Sequence, residues 1–316
     1  MSAPATFGVD LGGTHLRVGV VDTDAAIAGQ RKASTPDTLD GIVAEIAAHV
    51  TELRSVRPDA RVLGVGAAGM IDHDGVIHYS PNVPAFLAAP VRERLVDALA
   101  MPVIVDNDAN VAALGELEHG AARGCRDVLV VTLGTGVGGG IVCGGQLLRG
   151  AHGFAGEVGH FQIDPHGPRC ACGEPGHWEA LASGNALGAL GRARAAAGVA
   201  PSVLELAGGD AGDVTGEHVG AAARAGAADA VAIVAEYAHQ VALGLVGLVN
   251  VFDSELVVVS GGLVELGDLL LDPIRTAFAG HLEGAGHRPE VPIVPAALGD
   301  DAGMVGAAVL ARTLVA

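Results

Sequence analysis

Three stretches of the chain combine residue types and spacings that chemistry can use. In the first, Val105-Asp-Asn-Asp-Ala-Asn110, an amide and a carboxylate follow a β-type run, the place where sites of α/β proteins lie. Asp108 is placed to act as a general base toward an attacking hydroxyl and Asn107 to hold a neighbouring hydroxyl; helix N-capping is the competing explanation. The second is a pair of glycine turns, Gly12-Gly13-Thr14 and Gly134-Thr135-Gly136-Val-Gly-Gly-Gly140, each lying between two β-type runs. Both leave backbone N–H groups bare and carry a threonine hydroxyl. With Asp10 beside the first turn and Ser260-Gly261-Gly262 after a later strand, they could grip nucleotide phosphates, Asp10 orienting the water shell of Mg²⁺. Plain tight hairpins are the alternative. The third stretch carries His160, Cys170, Cys172 and His177, four donors with the spacing of a tetrahedral zinc site of structural type. A reduced cysteine pair without metal is the alternative there, and His166 is near enough in sequence to replace His177.

These residues need elements to hold them. Phe7–Asp10 and Leu16–Val21 read as strands joined by the first turn, and Thr38–Val56 carries an apolar stripe at helical spacing. Arg61–Val65 reads as a strand, Val91–Leu99 as a helix, and Val103–Val105 as a strand running into Asp106, with a helix from Ala109. In the second half, Asp127–Leu133 and Ile141–Cys143 read as strands flanking the second turn. Helices are expected from Ala180 to about Asn250, a strand over Glu255–Val259, another over Pro292–Val294, and a last helix over Ala302–Leu314. The second turn satisfies G-x-G-x-x-G through Gly134, Gly136 and Gly139, but the dinucleotide fingerprint requires a helix next, and a strand is expected instead. Strands alternating with helices in two similar halves imply an α/β protein of two domains with a cleft between them. The domains are expected to be 1–112 plus the helix 302–316, the smaller, and 113–301, the larger, bearing the zinc loop.

With 316 residues, half of them hydrophobic and only 3% aromatic, the chain can build a large aliphatic core. A net charge of −18 argues against nucleic acid as a partner. Four cysteines are too few for a disulfide framework and suit a reducing compartment. The opening MSAPATFGVD has no charged n-region or apolar h-region, and the apolar run Val241–Phe252 is short for a membrane span, so a cytoplasmic protein without membrane attachment is expected.

Taken together, Asp-Leu-Gly-Gly-Thr14, Asn-Asp-Ala-Asn110, the Gly134–Gly140 turn, Glu157-Val-Gly-His160 and Cys-x-Cys-Gly-x-x-Gly-x-x-Glu179 resemble the ROK family of bacterial sugar kinases and repressors, and within it the Streptomyces-type glucokinases of actinobacteria. The resemblance spans essentially the whole chain. It implies a two-domain actin/hexokinase-like (RNase H-like) fold. It also implies ATP-dependent phosphorylation of glucose at its 6-hydroxyl with Asp108 as base, Mg²⁺ with the nucleotide, and structural Zn²⁺. Sugar is then expected beside Asn107, Asp108, Glu157, His160 and Glu179. The nucleotide is expected on Asp10, Gly12, Gly13, Thr14, Gly134, Thr135, Gly136, Gly261 and Gly262. Relatives are commonly dimers or tetramers, so a homo-oligomer is expected. Two departures stand out: His177 where the family has cysteine, and His15 where lysine often follows Gly-Gly-Thr. A kinase for fructose, mannose or an N-acetylhexosamine would use the same motifs, and a non-catalytic sugar sensor would keep the sugar residues. A repressor would carry a helix-turn-helix ahead of the first turn, where six residues precede Phe7; a polyphosphate kinase would show a more basic donor groove.

Overall fold

The computed structural model describes residues 4–80, 83 and 85–315. Residues 1–3, which open the stretch read for a targeting signal, and Ala316, the last of the expected C-terminal segment, lie outside the described residues. The first part of the chain runs β1 (Thr6–Leu11), β2 (His15–Val21), β3 (Ile27–Ser34), α1 (Leu39–Leu53), β4 (Leu63–Ala67), β5 (Met70–Ile71), β6 (Ile77–Tyr79) and α2 (Val91–Leu99). It continues through β7 (Val103–Asn107), α3 (Asp108–His119), β8 (Val128–Leu133), β9 (Val137–Cys143) and β10 (Gln146–Leu147). A helical run follows: α4 (Glu179–Ala182), α5 (Gly184–Ala196), α6 (Pro201–Leu206), α7 (Gly216–Arg224) and α8 (Ala228–Phe252). The chain closes with β11 (Leu256–Ser260), α9 (Asp268–His281), β12 (Ile293–Pro295) and α10 (Ala302–Arg312).

Contacts divide the chain into two compact units. The first holds the residues up to Arg126, Gly140–Gly156 and the chain from Ala296 onward; the second holds Asp127–Gly139 and Glu157–Pro295. These boundaries differ from 1–112 plus 302–316 and 113–301. Helix α3 and the segment after it pack with the first unit, and so does Gly140–Gly156, which comes back to it in the middle of β9. A crossing inside a strand leaves no mark in composition. The second turn is likewise shorter than expected, because β9 begins at Val137 and takes Gly138–Gly140 into the strand.

In the first unit the sheet has the order β3-β2-β1-β4-β7. β1 is antiparallel to β2 and parallel to β4, and β4 is parallel to β7. Alternation along these strands sorts the two faces. Phe7, Val9 and Leu11 of β1, Leu63, Val65 and Ala67 of β4, and Val103 and Val105 of β7 join one buried cluster with Ile42, Ile46 and Val50 of α1 and Leu95 of α2. Thr38 caps α1, its side chain accepting from the Gly41 N–H at 3.2 Å. The opposite face is made of Gly8 and Asp10, Gly64 and Gly66, and Ile104 and Asp106, so it is nearly bare of side chains at its centre. There α10 lies directly on the backbone: a Cβ at Gly64 would come within 1.8 Å of the Ala307 carbonyl oxygen. Val305, Ala307, Ala308 and Leu310 of α10 supply the aliphatic contacts around it. The last helix therefore belongs to the first unit.

The second sheet has the order β10-β9-β8-β11-β12, with β8 parallel to β11 and β11 parallel to β12. Helix α8 is long and apolar enough to cross a membrane by length and composition. However, Ile233, Val234, Tyr237, Val241, Leu245, Leu248 and Val249 are buried within the second unit, as in a core helix. The run Val241–Phe252 is the second half of this helix and not a separate element.

The direct seat of α10 has an energetic consequence. Gly64→Ala should lower stability by about 1–3 kcal/mol, because the carbonyl at Ala307 is backbone and cannot rotate away. A urea melt with an unchanged midpoint would contradict this.

Candidate active site

In the first unit, parallel register sets Asp10, Gly66 and Asp106 in one row and Leu11, Ala67 and Asn107 in the next. These rows lie at the C-terminal ends of the three strands, where β1 brings Asp10 and β7 brings Asp106 and Asn107, and β4 between them contributes only Gly66 and Ala67. Asn107 closes β7 and caps α3, its Oδ1 accepting from the N–H of Ala109 at 2.9 Å and of Asn110 at 3.2 Å. Its Nδ2 donates to the Gly69 carbonyl at 3.2 Å. Capping and function are thus not alternatives at Asn107: the cap fixes the residue that comes next. Asp108 is the first residue of α3, half-buried, with Oδ1 2.9 Å from the Ala109 N–H. Asp10 lies against the start of α10, where a Cβ at Gly303 would approach its carboxyl carbon to 3.0 Å.

The first glycine turn is closed by the Gly12 N–H donating to the His15 carbonyl at 3.0 Å. Thr35 steadies it, donating Oγ1 to the Gly12 carbonyl at 2.7 Å. Gly13, Thr14 and His15 are exposed. The cation near Asp10 is Arg17, its cross-strand partner in the β1–β2 register. Arg17 also binds Asp300, Nη2 to Oδ2 at 3.0 Å. This residue was missed in the sequence, although counting outward from the turn, Leu11 to Leu16 and then Asp10 to Arg17, finds it.

In the second unit, the turn Gly134–Gly136 is closed by the Gly134 N–H on the Gly136 carbonyl at 3.0 Å. Gly261, at φ +91°, sits against the end of β8, where a Cβ would meet the Leu133 carbonyl oxygen at 2.4 Å. The structure thus brings Gly261 and the turn together. Gly262 follows, exposed.

The loop from His160 to Glu179 folds back on itself through bridges pairing Gln162 with His177 and Arg169 with Pro175. That fold gathers His160, Cys170, Cys172 and His177, whose ligand atoms all lie within 4.8 Å of one another. Nδ1 of His160 is 3.7 Å from Sγ of Cys170, and Nδ1 of His177 is 3.2 Å from Sγ of Cys172. The fourth member of the group is His177 and not His166. Burial pushes the Cys170 thiol up to about 11 in the absence of a cation.

Trp178 anchors the loop. It is fully buried, donates Nε1–H to the Gln240 carbonyl at 3.0 Å, and lies so close to α8 that a Cβ at Gly244 would be 2.0 Å from its ring. Glu179 comes next, and its carboxylate is engaged at both oxygens. Oε1 accepts from the Cys170 thiol at 3.3 Å and Oε2 from the Val137 N–H at 3.1 Å. Glu157 stands 4.0 Å from Nε2 of His160, so that imidazole turns one nitrogen to the cysteines and the other to a carboxylate.

Comparison with known proteins now bears on this arrangement. The family model described as "ROK family" matches residues 6–314. The chain belongs to the ROK family. It is 42% identical over 310 residues to the glucokinase of Streptomyces coelicolor, covering 97% of both chains. To the glucokinase of Thermotoga maritima it is 34% identical over 307 residues, covering 95% of both. Among solved structures, the ROK family glucokinase from Streptomyces griseus in complex with glucose and AMPPNP is similar to 98% of this chain and 99% of that one, at 41% identity and a TM-score of 0.85. The α/β architecture is the actin/hexokinase-like fold of ROK sugar kinases.

Within this ROK chain the two carboxylates of the first unit are electrostatically unusual. Burial, then the nearby Asp108 charge, raises Asp10 to about 6; Arg17 opposes the shift and Asp300 adds to it. Burial likewise raises Asp108, partly offset by its backbone hydrogen bonds. A carboxyl whose folded pKa exceeds its unfolded one makes the native state bind protons more tightly between the two values, so stability falls as pH rises through that window. Asp10→Asn should therefore stabilise the protein above pH about 6, by roughly 1–2 kcal/mol after allowing for partial exposure, and the gain should fade toward pH about 4. Thermal melts across that range test it; a gain independent of pH would contradict the assignment.

Proposed function

We propose that this protein transfers the γ-phosphoryl group of ATP to the 6-hydroxyl of glucose, giving glucose 6-phosphate and ADP. The observation that carries the reading is Asp108: a half-buried carboxylate at the start of α3, held by a capped turn and raised in proton affinity by burial. Such a group can take the proton of an alcohol as the alcohol attacks in line. The 42% identity to a glucokinase over nearly the whole chain supports glucose as the acceptor.

The remaining roles follow from the chemistry of each residue. Asn107 has its oxygen committed to the cap, so it would meet a sugar hydroxyl through its amide N–H and not as an acceptor. Glu157 and Glu179 supply hydrogen-bond acceptors suited to a polyol, which would penalise an analogue lacking the bonded hydroxyl, and His160, with Nδ1 toward the metal-type donors, would offer its Nε2–H to a hydroxyl oxygen. The N–H groups of Gly13, Thr14, Thr135, Gly136, Gly261 and Gly262 suit phosphate oxygens, while those of Gly12 and Gly134 close their own turns and shape the backbone around them. Asp10 fits a cation: its carboxylate is buried beside a second one, and Mg²⁺ held through water there would neutralise charge on the transferred phosphoryl group.

The donor set of His160, Cys170, Cys172 and His177 fits Zn²⁺, two sulfurs and two nitrogens drawn together on one loop. Zinc there would act as a structural clip. A metal-bound Cys170 has no proton to give Glu179, which leaves Oε1 of Glu179 for a sugar hydroxyl. The motifs suit a cytoplasmic homo-oligomer acting on small molecules, without nucleic acid or membrane, consistent with the acidic composition.

Kinetics, a hexose panel and metal analysis test these assignments. In a coupled assay, Asp108→Asn should lose about 10²–10⁴-fold in kcat with its far-UV spectrum unchanged; full turnover in the variant would sink the role of base. The same assay across glucose, fructose, mannose and N-acetylhexosamines should favour glucose. Elemental analysis should find one zinc per chain, and Cys170→Ser should lose it and lower Tm by roughly 5–10 °C. A metal-free wild type with the same Tm would remove the clip.

A further inference from the structure

Beside the residues assigned so far lies an ion pair between a buried carboxylate and a half-buried guanidinium that no motif announced. Asp106, next to Asn107, is only 4% exposed. Its Oδ1 accepts from the Asn107 N–H at 2.7 Å and from Nδ2 of Asn110 at 2.9 Å. One carboxylate oxygen therefore grips both the backbone just ahead of Asp108 and a side chain on the first turn of α3. Its Oδ2 meets Nη2 of Arg149 at 2.5 Å, and among the described residues no other partner reaches that atom.

Arg149 is itself fixed. It follows β10, and its carbonyl accepts from the Ala155 N–H at 3.1 Å, closing a turn. Gly150 follows at φ +74°, and its carbonyl meets Nε2 of His73 at 3.1 Å. Gly153 lies against the Ile71 carbonyl, where a Cβ would come within 2.4 Å. The turn is thus pinned at two points, to the end of β5 and to the segment after it, which sets the root of the Arg149 side chain beside Asp106.

We propose that Arg149 is a positioning residue for phosphoryl transfer: by holding Asp106 it fixes the turn from which Asn107 and Asp108 project. The inference rests on Asp108 being the base. A carboxylate taken out of water needs a partner, and an unpaired one turns toward solvent or takes up a proton. The first change takes away the acceptor of the Asn107 N–H and the Asn110 amide and the second weakens it, and either loosens the backbone that directs Asp108. A cavity of about 110 Å³ borders the pair, lined in part by Ile71, Asp72 and His73. It has room for water to replace a lost guanidinium, so a shortened side chain should loosen the turn without collapsing the unit. Misplacing a reacting group by about an ångström can cost on the order of 10²-fold in rate.

The test is steady-state kinetics on full-length Arg149→Met, Arg149→Lys, Asp106→Asn and the double variant Asp106→Asn/Arg149→Met, each well below its own Tm. Arg149→Met should lose about 10- to 100-fold in kcat with KM for glucose and for ATP within about threefold, and Arg149→Lys should recover most of the loss. The double variant should lose no more than the worse single variant, because both act through one contact. Arg149→Met with wild-type kcat and a lowered Tm would overturn the proposal, as would losses that multiply in the double variant. Should Arg149→Met fail to fold, Arg149→Lys and Asp106→Asn decide it: Asp106→Asn at wild-type kcat overturns it. A wild type inert toward every hexose overturns the function itself, whereas an active wild type with an unimpaired Arg149→Met overturns only this inference.

Discussion

Two carboxylates brought out of water in one unit are the constraint around which the rest of that unit is arranged. Asp10 lies one residue before the end of one parallel strand and Asp108 follows another, and the charge on Asp108 is second only to burial in raising Asp10. Like charges in a poorly solvated place are costly, and the protein offsets them from several directions. Arg17 stands across the strand from Asp10, α10 begins beside it, and the backbone N–H of Ala109 meets Asp108. The cost that remains is of the kind expected where proton affinity serves chemistry, as the proposed role of Asp108 requires.

The sheet that carries these groups gives up side chains to hold them. Gly8, Gly64 and Gly66 leave the middle of one face without bulk, and two helices settle there against backbone. One is α10; the other is α3, where a Cβ at Gly66 would strike Val111 at 2.3 Å. The opposite face does the apolar work, with Phe7, Leu63, Ile42 and their neighbours fully buried. In the second unit the same economy appears in another form. Trp178 occupies the space a side chain at Gly244 would need, and its burial fixes the end of the loop that carries four metal-type donors and Glu179.

Much of this was legible in the residues. The Asn107–Asp108 turn, the Gly12–Thr14 hairpin and the Cys170–His177 loop are contiguous, so their chemistry and spacing survive in one dimension. The strands and helices around them were legible because period and turn residues agree. What was hidden depends on distant partners. Arg149 finds Asp106 only once the chain after β10 has returned to the first unit, and Glu179 meets Val137 only once the loop has closed. The unit boundary within β9 was invisible for the same reason, since a strand that passes from one unit to the other reads as one strand. His15 looked like a loss of charge in the first turn; the cation is two residues farther on, at Arg17, where antiparallel register puts it opposite Asp10.

The central claim is that a half-buried, ionised Asp108 takes the proton of the sugar hydroxyl. The most direct measurement is the pH dependence of kcat/KM for glucose in an Asp10→Asn background, which removes the neighbouring titration and leaves that of Asp108. Residual turnover in that background should fall off on the acid side at a pH above the ordinary aspartate range, because burial raises the group that must be ionised. A rate that stays flat down to that ordinary range would contradict the claim.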